Sequence, residues 1–157
     1  MSVTLQLSRM ADIVSDLIAD FTRAWPSHVD IVMPSGMLLG ARSDVCMGVP
    51  AGVQFRPDGY APFTKVERIS LPATYAQALT FHVFVSDQAG KPYDKIGIVG
   101  LAVGRNWRSP DKWFCSELAM AALEYAGIIS PITSPVNFIS PRDVLMVAEA
   151  MQVRAAA

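Results

Sequence analysis

The sequence is short of cysteine, histidine and net charge, and each shortage narrows what the chain can be. Only two cysteines occur, Cys46 and Cys115, without Cys-x-x-Cys spacing. That excludes a disulfide-stapled scaffold and a cysteine zinc site, and both thiols are expected to be reduced. No cofactor or metal motif is present. Lysine and arginine number 13 against 14 acids and are scattered, giving a net charge of −1. No basic footprint for DNA or RNA results, so nucleic acid is not an expected partner. Charges, Pro or Gly interrupt every apolar stretch before the ~20 residues of a bilayer-spanning helix, so no integral membrane segment is expected. Met1 to Leu7 has neither a basic start nor a long apolar run, so no signal peptide is expected and the chain reads as soluble. What is plentiful is apolar surface, 52% of the 157 residues, enough for one domain spanning 1–157 with its own core.

Periodicity places the elements. From Ser8 to Ala24, Met10, Ile13, Val14, Leu17, Ile18 and Phe21 recur at three- and four-residue steps, with Asp12, Asp16, Asp20 and Arg23 opposite, which predicts an amphipathic helix. Pro26 ends it. His28 to Met33, the turn Pro34-Ser35-Gly36 and Met37 to Arg42 read as a β-hairpin. Ser43 to Gly52 reads as a loop, with strands at Val53 to Arg56 and Lys65 to Leu71. Thr74 to Asp87 carries both periods and is read as a helix, while the glycine-interrupted run Ile96 to Val103 is left open. A helix is expected from about Cys115 to Tyr125, stopped at Gly127, and another from the Ser140-Pro141 cap to about Val153. The fold class is therefore α+β, a small antiparallel sheet packed against helices.

Chemistry concentrates at few positions. Cys115, in Trp113-Phe114-Cys115-Ser116-Glu117-Leu118, stands where a helix begins, and unpaired N–H groups at a helix start favour a thiolate. Ser109-Pro110 marks a chain reversal nearby, and Arg105, Arg108 and Lys112 add positive charge. A cysteine in apolar surroundings otherwise serves as a small hydrophobe, and Cys46, with no helix after it, is read that way. His28 opens a strand and is the candidate base; a histidine there otherwise sits at the surface or as a cap. His82, among Phe81, Val83 and Phe84, reads as core. For a third group that fixes the imidazole, Asp30 shares the strand face of His28, with Arg42, Ser43 and Asp44 as alternatives. Tyr93 offers an oxyanion donor beside the backbone N–H of Cys115, or else a packing ring. Asp94 and Glu117 are read as structural, a cap and a buried charge.

Taken together, Trp25-Pro26-Ser27-His28-Val29-Asp30, Gly90-Lys91-Pro92-Tyr93-Asp94 and Trp113-Phe114-Cys115-Ser116-Glu117-Leu118 resemble the permuted papain-like cysteine hydrolases. This is the circularly permuted branch of the NlpC-type superfamily, which includes YiiX-like proteins and lecithin retinol acyltransferase. The resemblance runs from Trp25 to Asp143, ending on Ser140-Pro141-Arg142-Asp143. It implies a small sheet or half-barrel with the cysteine opening a helix, Cys115 as nucleophile, His28 as base and Tyr93 near the site. Family members often carry a carboxylate or other polar residue on the strand after the histidine, just ahead of a small residue. Here Gly40 before Ala41 stands in that place. The third member is then missing or relocated, and Asp30 is the substitute, since His-Val-Asp resembles the His-Val-Glu of small members found among phage and prophage proteins. The implied activity is cleavage of an amide in a peptidoglycan peptide. A lipid acyl hydrolase or acyltransferase is a second reading, and a non-catalytic module that binds phage tail proteins, favoured by Gly40, is a third.

Overall fold

The computed structural model describes residues 1–11, 13–94, 111–132 and 139–156. Their elements are β1 (Ser2–Met10), α1 (Ile13–Thr22), β2 (His28–Val32), β3 (Leu38–Arg42), β4 (Gly52–Arg56), β5 (Phe63–Pro72), α2 (Tyr75–Asp87), α3 (Cys115–Tyr125) and α4 (Pro141–Ala156). The strands form an open antiparallel sheet in the order β4-β3-β2-β1-β5. The class is α+β, and the predicted hairpin, β4, β5 and the last three helices stand where periodicity put them.

The N-terminus departs from the helical reading. Ser8 to Met10 end a strand that begins at Ser2, and the helix starts at Ile13. Val3, Leu5 and Leu7 are buried while Thr4, Gln6 and Ser8 alternate with them, a period of two that the helix pattern downstream overshadowed. The face of α1 also differs. Among its described side chains Ser15, Ile18, Ala19 and Thr22 are buried, whereas Leu17 and Phe21 are 64% and 54% exposed. The helix is rotated because it packs beside the sheet, over the start of α3, and takes little part in the main core.

Strand alternation gives the sheet two unlike faces. Odd positions (Val3, Leu5, Leu7, Val29, Ile31, Leu39, Ala41, Val53, Ile69, Leu71) join Phe81 and Val85 of α2, Leu118 and Leu123 of α3, and Val144 of α4 in one apolar core. Even positions hold Gln6, Ser8, His28, Asp30, Arg42 and Arg56, all buried. The register lines up Arg68, Gln6 and Asp30 in a row, and continuing it brings Gly40 and Gln54 alongside. Arg56 anchors this polar face, donating to the carbonyls of Gly40 (3.0 Å), Gln54 (3.3 Å), Pro50 (3.3 Å) and Gly52 (3.4 Å). Arg56→Met would strand those acceptors in a water-poor site, so we expect a loss of about 3 kcal/mol or more in urea unfolding.

Candidate active site

Cys115 is the first residue of α3. Phe114 precedes it in extended conformation (φ −92°, ψ 153°), and the Glu117 carboxylate accepts the Phe114 N–H at 3.1 Å. Phe114 has no side-chain oxygen to cap the helix, so the Glu117 carboxylate defines where the helix begins. Ser116 pins the same turn by donating to the Ile139 carbonyl at 2.5 Å. The sulfur therefore sits within the first turn, where helix N–H groups have no partner inside the helix. Arg105, Arg108, Ser109, Pro110 and the run Ile96 to Val103 lie outside the described residues.

His28 begins β2, opposite Ser8 of β1. Its Nε2 is 2.9 Å from Oδ1 of Asp30, two residues along the same face. Cys115 bears on the ring through its charge and as a hydrogen-bond partner, both of which raise the His28 pKa. With Nε2 engaged by Asp30, Nδ1 is the nitrogen left for the thiol. The chain thus brings together residues 87 positions apart (28 and 115), which no local pattern could have shown. All three groups are nearly closed off, at 6% exposure for His28, 0% for Asp30 and 2% for Cys115.

Tyr93 joins them. Its segment pairs with Trp113, the Asp94 N–H reaching the Trp113 carbonyl at 3.0 Å and the Trp113 N–H the Pro92 carbonyl at 3.1 Å. This holds the Tyr93 ring edge-on to Phe114, centroids 5.8 Å apart, in a small cluster with Ile18 and Cys115. Burial first, and then the neighbouring Cys115 charge, push the Tyr93 hydroxyl well above its ordinary value, so it remains a proton donor. A cleft of about 460 Å³ opens beside His28, lined by Met10, Ser15, Ile18, His28, Arg42 and Tyr93 among others, with Cys115 buried behind that lining. Arg42 and Asp44, the alternative third groups, pair with each other at 2.9 Å. Ser43 lines the cleft.

Two features of the site were not foreseen. The first is Tyr60, delivered by the turn Pro57-Asp58-Gly59, with Gly59 at φ 68°. Its hydroxyl lies 2.9 Å from Oδ2 of Asp30 and 3.1 Å from Nε2 of His28. A turn followed by a lone aromatic was the available signal, but the direction of the side chain was not in it. The second is the reason for Gly40. A Cβ built there would fall 2.0 Å from Oδ1 of Asp30. The carboxylate reaching across from β2 occupies the volume a side chain on β3 would need. His82 belongs to a different cleft, beside α2, and Cys46 donates to the Tyr60 carbonyl at 3.4 Å. Among the described residues, no group of three or more His, Cys, Asp or Glu is placed to hold a metal, and no helix is long and apolar enough to cross a membrane.

The electrostatics carry a sign that can be measured. Burial lowers the His28 pKa, but the Asp30 charge, the Cys115 charge and hydrogen bonds from both outweigh it, raising it from 6.5 to about 10. Asp30 is lowered below 3.8: burial opposes, yet His28, Tyr60 and Arg56 prevail. A raised histidine stabilises fully below 6.5, and that contribution is lost as pH climbs through about 10. A lowered carboxylate stabilises above 3.8, and its contribution is lost as pH falls through the folded value. Urea unfolding should therefore show stability declining from pH 6.5 toward 10, and His28→Gln should remove that alkaline decline.

No family model matches the chain, and no curated protein matches it significantly.

Proposed function

We propose that the chain is a cysteine hydrolase of permuted papain-like architecture that cleaves an amide bond in a peptidoglycan peptide. The observation that carries this reading is the convergence of a helix-opening cysteine, a strand-borne histidine and a buried carboxylate on that histidine. Nothing in packing requires this set. Leaving a carboxylate and an imidazole inside a domain is costly unless they are paired, and here the pairing engages Nε2 and leaves the other ring nitrogen for a thiol.

In the proposed reaction His28 already holds the Cys115 proton on Nδ1, as its raised pKa favours, and the thiolate sulfur attacks the substrate carbonyl carbon. Negative charge builds on the carbonyl oxygen, where the Cys115 backbone N–H and the Tyr93 hydroxyl act as donors. The carbon–nitrogen bond breaks, His28 gives its proton to the leaving amine, and a thioester remains on Cys115. Water, losing a proton to His28, then attacks the thioester and releases the acid. Asp30 holds the ring and offsets its positive charge throughout. Gly40 ceases to favour a vestigial, phage-tail-binding module, because the missing side chain on β3 is matched by a carboxylate filling its place.

One observation favours the lipid-ester reading as a second choice. Leu17 and Phe21 are exposed on the same helix whose Ile18 covers Cys115. A digest of purified peptidoglycan and, in parallel, of labelled phospholipid vesicles, analysed by mass spectrometry, separates the two. A new amine and carboxyl pair at one defined peptide bond supports the amidase. Released fatty acid supports the lipid hydrolase, and neither product counts against both.

A further inference from the structure

Tyr60 contacts both His28 and Asp30, yet the proposed reaction gives it no task. It is 2% exposed, and among the described residues its hydroxyl has three polar neighbours: Oδ2 of Asp30 at 2.9 Å, Nε2 of His28 at 3.1 Å and Nη1 of Arg42 at 3.4 Å. The proton inventory decides how these bonds run. An ionised carboxylate only accepts, so the single hydroxyl proton goes to Asp30. A guanidinium only donates, so one lone pair on the Tyr60 oxygen is taken by Arg42. The other lone pair faces Nε2. Oδ1 of Asp30, 2.9 Å from that same nitrogen, is a second acceptor. Nε2 therefore lies between two acceptors and must carry hydrogen, since a bare nitrogen there would confront lone pairs on both sides.

We propose that Tyr60 is the positioning residue of this site: together with Asp30 it keeps hydrogen on Nε2 of His28, so that Nδ1, the nitrogen left for Cys115, is the one that gains and loses a proton. The assignment rests on Cys115 and His28 being the reacting pair. Tyr60 is itself well held. The guanidinium carbons of Arg42 and Arg56 lie 5.3 and 5.5 Å from its ring centroid, and Phe63 meets it edge-on at 5.2 Å. Burial, followed by the Asp30 charge, raises its hydroxyl above the ordinary value, so it stays protonated across the working range. Among the described residues, the charged and titratable groups that bear on His28 and Asp30 are Tyr60, Arg56 and Cys115, with Arg42 acting through Tyr60.

Tyr60→Phe keeps the ring and removes the hydroxyl. Nitrogen-15 NMR of labelled histidine reads the result directly, because the chain has only two histidines. In a Cys115→Ala background, neutral His28 should be the Nε2–H tautomer with Tyr60 and a mixture of tautomers with Phe. In the active protein Tyr60→Phe should lower kcat by about 10–100-fold, the range for loss of an orienting partner, with KM little changed. The acid limb of kcat/KM should move to higher pH, because Asp30 loses a donor that holds it ionised. Should the Phe variant fail to fold, uniform 3-fluorotyrosine labelling makes the hydroxyl a stronger donor without changing the fold. The acid limb should then move to lower pH. An unchanged tautomer and acid limb in folded Tyr60→Phe, or an unmoved limb with fluorotyrosine, overturns the assignment. The tautomer is read without substrate, so a chain that hydrolyses nothing yet shows the Tyr60-dependent tautomer sinks only the hydrolase reading.

Discussion

Cys115→Ala should abolish turnover, with a loss on the order of 10⁴-fold or more, while the protein still folds. The side chain removed is small, and the surrounding Ile18, Phe114 and Tyr93 keep their other contacts. Stability should fall by about 1 kcal/mol or less, since only a single buried sulfur is lost. His28→Gln should lose activity to a similar degree, because a nucleophile and its base act as one unit and their losses do not add. Glutamine is the better test than alanine here. It can still offer an N–H to the buried Asp30, whereas alanine would leave that carboxylate with less support and confuse lost chemistry with lost fold. Circular dichroism and urea unfolding, run beside the peptidoglycan digest, separate the two effects.

Gly40→Ala should be nearly as damaging, although the added group is a single methyl. Its Cβ would lie 2.0 Å from Oδ1 and 3.1 Å from Cγ of Asp30, and 3.3 Å from the Val29 carbonyl oxygen. The backbone cannot retreat, because β3 is paired with both β2 and β4. The carboxylate must swing away, and in doing so it leaves both His28 and Tyr60. We expect a stability loss of about 3–5 kcal/mol, as for removal of one member of a buried charge pair. Activity should fall on the order of 10²–10⁴-fold, the range for loss of a histidine's orienting partner. A double-mutant cycle checks the cause. In an Asp30→Ala background the methyl at position 40 has room, so Gly40→Ala should there have little further effect on activity. Additive losses would mean that the methyl acts through the strand and not through Asp30.

These outcomes turn on contacts of very different legibility. Cys115 could be found because the features that open a helix are local: Trp113-Phe114 before it, Glu117 after it and Gly127 closing the stretch. His28 and Asp30 could be placed on one face because strand side chains alternate, a rule that needs no tertiary knowledge. The Ser140 and Asp143 pair was likewise written in nearby residues. What escaped depends on which strands lie side by side. Gly40 reads as an unexplained gap until the register sets β3 next to Asp30. Tyr60 reads as a loop aromatic until the chain folds back over the polar face of the sheet. The buried face of α1 escaped for a related reason. Leu17 and Phe21 of its apolar stripe are exposed, and what the helix covers is the small cluster at Cys115, reached by Ile18.

The central claim is that imidazole and thiol act as a pair, and the alkylation rate of Cys115 as a function of pH tests it most directly. Iodoacetamide labelling, followed by peptide mass spectrometry, reports Cys115 and Cys46 separately in one sample. Near neutral pH Cys115 should label far faster than Cys46 despite its deeper burial, and His28→Gln should erase that difference. Equal, slow labelling of both cysteines in the wild type, unchanged by His28→Gln, would contradict the account.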